Sequence, residues 1–434
     1  MRYLMIALCA VMLSVSTEAG ELTLSETIRL AGERSFELKA ARAREESARH
    51  STSASRRARF PSLSIEGRIA AVDDLPVFEF DIPTGPSLKR EIGAKESYQI
   101  DAYLTLPLYT GGRIGGSIDQ AEAFARISEA MALAESERVS LAARVEYYSL
   151  GMAGSMVRTA DASLQRAEII AGSVLSMFEA GAADSVDLLE ADLAVTEASF
   201  ALSRARIERR SAEIRLQMLL GIDTSEHLTI ASLPSPPESL PGGRSGMPDR
   251  PELEAASARI EAGEAALEVT GSGRLPSISL FGGYSIGKPN RDMFEAETDD
   301  YFRVGLGLSW SLNLGGAEGE RIEAARLEVD ALRRERERIE RDLGEAADLA
   351  LERMRLAHEE YLSSKRRLEL TSRNFRLAER RHREGDLPTS RLLEIEKSLT
   401  AAQADLAASE AAYYMRYSGW LYATGSEELE KGTI

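Results

Sequence analysis

The stretch Tyr98-Gln99-Ile100-Asp101-Ala102-Tyr103-Leu104-Thr105-Leu106-Pro107-Leu108-Tyr109-Thr110-Gly111-Gly112 carries the reading of the fold. Its even positions from Tyr98 to Leu108 are apolar, whereas Gln99, Asp101 and Thr105 occupy odd ones. A side-chain period of two over about ten residues predicts a strand with one apolar and one polar face. The ending Leu108-Tyr109-Thr110-Gly111-Gly112 returns as Leu312-Asn313-Leu314-Gly315-Gly316. Before it, Phe302, Val304, Leu306, Leu308, Trp310, Leu312 and Leu314 alternate with Arg303, Gly305, Gly307, Ser309, Ser311 and Asn313. Leu63, Ile65, Gly67 and Ile69 alternate with Ser64, Glu66 and Arg68; Ile278, Leu280, Tyr284 and Ile286 do so less strictly. Taken singly, each run also fits a half-buried sheet of a soluble domain. Its length and polar second face equally fit a membrane strand beside a polar lumen.

The chain repeats itself on either side of this stretch, and a repeat of this size sets the architecture. Arg59-Phe60-Pro61-Ser62-Leu63-Ser64 recurs as Arg274-Leu275-Pro276-Ser277-Ile278-Ser279. Glu179-Ala180-Gly181 through Leu188-Leu189-Glu190 recurs as Arg383-Glu384-Gly385 through Leu392-Leu393-Glu394. The Gly-Gly pairs and the later glycines share one offset of 204 residues, and the first copy holds 11 extra residues between Pro61 and Gly111. The chain is therefore read as a duplication. Residues 20–230 form the first repeat, with strands over about 62–71 and 98–109 and long helices over 112–178 and 185–220. Residues 251–424 form the second, with strands over about 277–287 and 301–314 and long helices over 316–382 and 390–423. A Pro-rich linker, 231–250, joins them as an extended segment, and 425–434 is a C-terminal tail. The strand-connecting loops, Val72 to Ser97 and Lys288 to Asp300, read as polar and unequal.

Gly112 to Phe178 and Gly316 to His382 contain no Pro. A continuous helix of that length would run roughly 100 Å. Met354, Tyr361, Leu368 and Phe375 recur every seven residues, with Ala350, Ala357, Ser364, Thr371 and Ala378 interleaved. Large residues in one seat and small ones in the other predict close, coiled-coil-like packing. At the N-terminus, Arg2, the apolar run Leu4 to Val15 and the small residues Thr17 and Ala19 read as a cleaved signal over 1–19. Leu8 before Cys9 argues against a lipoprotein signal. No later apolar run is long enough for a membrane helix, so a bilayer could be crossed only by strands.

Chemistry is poorly supplied. With 53 Lys+Arg against 70 Asp+Glu, the net charge of −17 gives no basic footprint for nucleic acid. Arg333-Arg334-Glu335-Arg336-Glu337-Arg338 alternates in sign, as a solvated helix face does. Four His and one Cys exclude a disulfide framework. Gly111-Gly112-Arg113-Ile114-Gly115-Gly116-Ser117 lacks the lysine of a phosphate loop, and His358-Glu359-Glu360 lacks a second histidine one turn on. His50, His227 and His382 are expected on helix surfaces. No cofactor, metal site or catalytic constellation is expected, and the chain is not read as an enzyme.

The ordered set of motifs resembles the TolC-like outer membrane efflux protein family over nearly the whole mature chain. Carrying the resemblance are the duplication, the Pro-Ser strand starts, the second-strand endings Leu106 to Gly112 and Trp310 to Gly316, the turns at Gly181 and Gly385, and Arg250-Pro251-Glu252-Leu253. The resemblance implies a mostly α protein with a small membrane β part. Three chains would each give four strands to a twelve-stranded β-barrel, continued by a long α-helical periplasmic barrel, with the linker and tail in an equatorial belt. It implies an outer-membrane homotrimer in contact with outer-membrane lipid, working with a periplasmic adaptor and an inner-membrane RND or ABC transporter and conducting passively. The exit duct of a type I protein secretion system shares the fold; a periplasmic coiled-coil scaffold is the rival from another class. Phe178, Gly181, Ser185, Leu188, Gly385, Thr389 and Leu392 match the family's adaptor-docking tips. Asp187, Glu190, Arg391 and Glu394 match the acidic positions that ring its entrance, Arg391 departing from them in sign. His382 and Leu387 stand where the best-known member has a tyrosine and an arginine that latch the closed tip, so that latch is not expected.

Overall fold

The computed structural model describes residues 21–80, 83–240, 250–291 and 297–431; the signal expected over 1–19 lies outside them. In chain order the elements of the first half are α1 (Leu24–Arg34), α2 (Phe36–Arg57), β1 (Ser62–Ala71), β2 (Val77–Phe80), β3 (Leu88–Glu91), β4 (Glu96–Tyr109), α3 (Arg113–Glu179) and α4 (Ser185–Leu220). The second half has α5 (Pro251–Ser272), β5 (Ser277–Lys288), β6 (Asp299–Ser309), α6 (Ala317–Arg383), α7 (Thr389–Ala423) and α8 (Glu428–Lys431). The protein is mostly helical, and α3 and α6 each run for 67 residues. No described helix is long and apolar enough to cross a membrane.

Two stretches differ from the sequence reading. The loop after β1 holds a short hairpin, β2–β3, pairing Val77 with Glu91 and Phe80 with Leu88. Its alternation is only four residues per strand, too brief to stand out from a polar loop, and it falls in the interval that carries the extra residues of the first copy. β6 ends at Ser309, short of the expected 314, because its partner β5 begins at Ser277. The residue before that is Pro276, which has no N–H to continue the ladder. Trp310 instead donates its indole N–H to the Arg274 carbonyl at 3.1 Å.

The chain divides into two compact units. One comprises 41–132 and 251–340 and contains the sheet β1-β4-β5-β6, antiparallel throughout. Thr52 of α2 donates to the Ala121 carbonyl of α3 at 3.0 Å, and Arg56 pairs with Glu122 at 2.9 Å. Both contacts hold α2 against the start of α3.

The other unit comprises 1–40, 133–250 and 341–434. Its main core gathers Leu24, Ile28, Leu38, Tyr148, Leu216, Leu220, Met354, Tyr413, Trp420, Leu421 and Leu429. Tyr148 stacks on Tyr414 with ring centroids 5.2 Å apart. Met354, Tyr361, Ala357, Ser364 and Ala378 are buried, so the seven-residue seam of α6 is its packed face. A second cluster, Ile170, Val174, Ala191, Ala378, Leu392, Leu393 and Ile395, sits towards the ends of the helical hairpins. Burying each large side chain contributes about 1.5–3 kcal/mol.

The linker lies along this unit. Leu228 and Ile230 just before it, and Leu233 and Leu240 within it, pack on the main core, and His358 of α6 donates its ring N–H to the Pro237 carbonyl at 2.8 Å. Glu213 of α4 accepts the Leu228 N–H at 2.7 Å and pairs with Arg210 at 3.0 Å. Burial alone would raise the Glu213 carboxyl, but the Leu228, Arg210 and His227 contacts outweigh it and hold the carboxyl below its ordinary value.

Candidate functional site: a two-faced sheet and two hairpin tips

The register sorts the sheet into rows. Leu63, Leu104, Gly282 and Val304 stand side by side, as do Ile65, Ala102, Tyr284 and Phe302, and then Leu106, Leu280 and Leu306. Between them run Ser64, Tyr103, Gly283 and Arg303; Glu66, Asp101, Ser285 and Tyr301; and Arg68, Gln99, Gly287 and Asp299. A one-residue slip in any strand would interleave the two sets, so all four alternations agree on one register. In a water-soluble half-buried sheet the apolar face is the covered one. Here the order is inverted: Ile69 is 89% exposed, while Ser285 on the polar face is 4% exposed. Phe302, Val304, Leu306 and Leu308 continue this bare apolar surface, larger than a soluble chain leaves uncovered without a partner or a bilayer.

At the first tip, Gly181 adopts φ +72°, and its N–H donates to the Phe178 carbonyl at 2.9 Å. That left-handed conformation is costly for any residue with a Cβ. Asp184 then caps α4: its carboxylate accepts the Val186 and Asp187 N–H groups at 2.8 and 2.9 Å, and Asp187 accepts the Asp184 N–H at 3.3 Å. This reciprocal box satisfies backbone donors at the helix start. Asp187, expected as an entrance charge, is thus engaged in the cap. Phe178, Gly181 and Ser185 are exposed and Leu188 is half-buried.

The second tip turns at Gly385, φ +83°, but Pro388, at the N-cap of α7, offers no side-chain cap. His382 donates its ring Nδ1–H to the Leu387 carbonyl at 2.9 Å. The ring is buried, contrary to the surface position expected for it, with the turn at Leu387 closed onto it; His50 and His227 are exposed. His382 and Leu387 do meet, through one backbone carbonyl rather than two side chains. Thr389 and Leu392, expected on the docking face, are buried as well. Leu392 is buried because it joins Ile170 and Val174 of α3 in the tip cluster.

The entrance residues are partly brought together. Glu190 and Glu394 line a cavity of about 330 Å³ with Leu193, Glu197, Leu393 and Lys397. Arg391 is ion-paired with Glu394 one turn away, so part of the expected acidic charge is neutralised within one chain. Lys397 pairs with Glu197 at 2.9 Å. Among the described residues no group of His, Cys, Asp and Glu could hold a metal ion.

Sequence reasoning did not single out two arginines, the half-buried Arg166 and the buried Arg144. Arg166 of α3 pairs with Glu396 of α7 at 3.0 Å and donates to Thr400 and Gln403 at 2.7 and 3.2 Å, while Ser163 donates to Glu396 at 3.0 Å. Arg144 donates to the carbonyls of Leu429 and Glu428 at 2.8 and 2.5 Å, tying α8 to α3. Burial lowers the Arg144 pKa, the neighbouring Tyr148 opposing that shift; burial pushes the Tyr148 hydroxyl up to about 12. A single arginine within a long helix carries no local sign of such pairing. Exposed apolar stripes were also missed, although their spacing is visible: Val186, Leu193, Phe200 and Ile207 on α4, and Leu349, Leu356, Leu370 and Leu377 on α6.

The fold is that of known channel proteins. CusC, whose crystal structures concern folding and transmembrane channel formation, is 18% identical, covering 95% of this chain and 96% of that one at a TM-score of 0.78. The outer-membrane channel OprN is 21% identical, covering 94% of this chain and 90% of that one at 0.73. The outer membrane protein VceC of Vibrio cholerae is 15% identical, covering 93% and 96% at 0.75. No curated protein matches the sequence. The family described as "Outer membrane efflux protein" matches residues 27–222 and 248–418, one segment in each half of the duplication. With most of its length so matched and its sheet apolar on the exposed face, this chain belongs to the outer membrane efflux protein family.

Proposed function

We propose that three copies of this chain form the outer-membrane exit channel of a tripartite efflux system. Each copy gives the four strands of its main sheet to one closed barrel, because four strands are too few to close alone, bacterial barrels beginning at about eight. The observation that carries this reading is the inverted sheet. Its apolar rows face lipid, and its polar rows, with Glu66, Arg68, Asp101 and Arg303, line a water-filled lumen. The stripes on α4 and α6 support it too, since neighbouring copies would cover them in a ring of helices.

Conduction along this path is passive. The chain offers polar surface and charge but no group that could couple energy, so an inner-membrane RND or ABC transporter supplies it through a periplasmic adaptor. The adaptor docks at the hairpin tips, on Phe178, Gly181, Ser185 and Leu188 and around Gly385, with Thr389 and Leu392 holding the second tip from inside. Glu190 and Glu394 set the charge at the periplasmic entrance, Arg391 weakens their preference for cations, and Asp187 contributes less while it caps α4.

Single-channel recording of the purified trimer in a planar bilayer tests this, with Glu394→Ala as comparator. Discrete conductance steps, with ion selectivity altered in Glu394→Ala, are expected. A folded trimer that gives no steps would sink the channel reading; steps with unaltered selectivity would remove Glu394 from the entrance.

A further inference from the structure

The polar face of the sheet carries large side chains that do not stand away from it. Phe281 is the one phenylalanine in those rows. It lies directly opposite Gly305 in the β5–β6 ladder. A Cβ placed on Gly305 would come within 2.7 Å of the tip of the Phe281 ring and within 3.2 and 3.3 Å of its flanking carbons. The ring also reaches towards Gly307, where an added Cβ would meet it at 3.8 Å. It therefore lies across β6 and shields the backbone of a glycine, a packing that compensates glycine in a sheet.

One row further along, Tyr103, Gly283 and Arg303 stand side by side on β4, β5 and β6. The Arg303 guanidinium sits 5.2 Å from the Tyr103 ring centre, so the two side chains meet over Gly283. An added Cβ there would be 3.2 Å from Arg303 Nε and 3.3 Å from the Tyr103 ring. The opposite face behaves differently: a Cβ on Gly67 or Gly282, both in apolar rows, would meet nothing within 4 Å.

We propose that Phe281 and the Arg303–Tyr103 pair determine the bore of the barrel, laid against its wall by Gly305 and Gly283 as positioning residues. The inference rests on the reading that the polar face lines a lumen. With these side chains flat, three copies leave the axis clear for bulky solutes. A side chain at Gly305 would lift the Phe281 ring, and the symmetry would bring three rings inward at one level. Lifted together, the three rings would narrow the lumen at that level, and pore-lining size governs what passes.

Single-channel conductance of the full-length trimer in potassium chloride provides the test, on wild type, Gly305→Val, Gly282→Val, Phe281→Ala and the double variant Gly305→Val/Phe281→Ala. Gly305→Val is expected to lose part of its conductance, and the double variant to regain it. Gly282→Val and Phe281→Ala are expected to match wild type, the first because it faces away from the lumen, the second because the ring is already against the wall. Gly305→Val conducting like wild type, or Phe281→Ala conducting more, would overturn the inference while leaving the channel intact. A folded wild-type trimer without steps would overturn the channel reading and this inference together. Should Gly305→Val fail to assemble, assembly of the double variant supports the ring's seat on Gly305, and failure of the double variant as well, with Phe281→Ala above wild type, counts against it.

Discussion

The two hairpin tips descend from one duplicated segment, yet they are held by different physics. Both turn at a glycine with positive φ, Gly181 and Gly385, at matched positions. The first is closed by charge and backbone at the surface: Asp184 and Asp187 form a capping box. The second has no side-chain cap and is closed by burial: His382, Thr389 and Leu392 are all inside. Duplication preserved the backbone turn because only glycine fits it cheaply. It did not preserve the means of fastening, because a capping box and side-chain burial are alternative ways of holding the same turn in place.

The largest expected effect that could break this contrast is at Leu392. Leu392→Ala removes a side chain that is 1% exposed in the tip cluster and should cost about 2–5 kcal/mol. Ser185→Ala at the exposed first tip should shift stability far less; equal shifts in thermal unfolding would abolish the distinction. His382→Ala comes next. It strands the Leu387 carbonyl and opens a hole at a buried ring, for about 1–3 kcal/mol, read by hydrogen exchange at the second tip. Gly181→Ala and Gly385→Ala should each cost about 1–2 kcal/mol, from left-handed backbone alone, since a Cβ meets nothing at either site. Unequal penalties would mean that the turns are not equivalent after all.

Smaller still, Asp184→Ala should cost about 1 kcal/mol and speed exchange of the Val186 and Asp187 amides, leaving the second tip untouched. The smallest effect sharpens the contrast by pH. Glu213 fastens the segment leading into the linker, at Leu228, with a carboxylate whose folded pKa is lowered from 4.5. Its contribution is complete above the unfolded value and is lost as pH falls through the lower folded one. Protection of the Leu228 amide should fall on acidification through that range and be nearly flat in Glu213→Gln; equal pH dependence in both proteins would remove Glu213 from the linker lock.

Much of the sheet was legible in sequence because alternation is a local property. Phe302, Val304, Leu306 and Leu308 announce a two-faced strand whatever pairs with it. The β2–β3 hairpin was not legible, its runs being too short, and neither was the end of β6, which depends on where β5 starts. Among site residues, the tip glycines could be read from matched positions. The burial of His382 and Leu392 could not, since nothing near them in sequence says which helix face α7 will cover.

Periodicity and backbone sterics are local, and they encode the duplication, the long helices, the strand faces and the turns at Gly181 and Gly385. The partners were set by the folded chain. β4 of the first half pairs with β5 of the second, aligning Tyr103, Gly283 and Arg303 in one row. Arg166 of α3 finds Glu396 of α7 in the same way, across two helices far apart in sequence. A side-chain period is written within one segment, but register and burial belong to pairs of segments, and they exist only once the chain has brought those segments together.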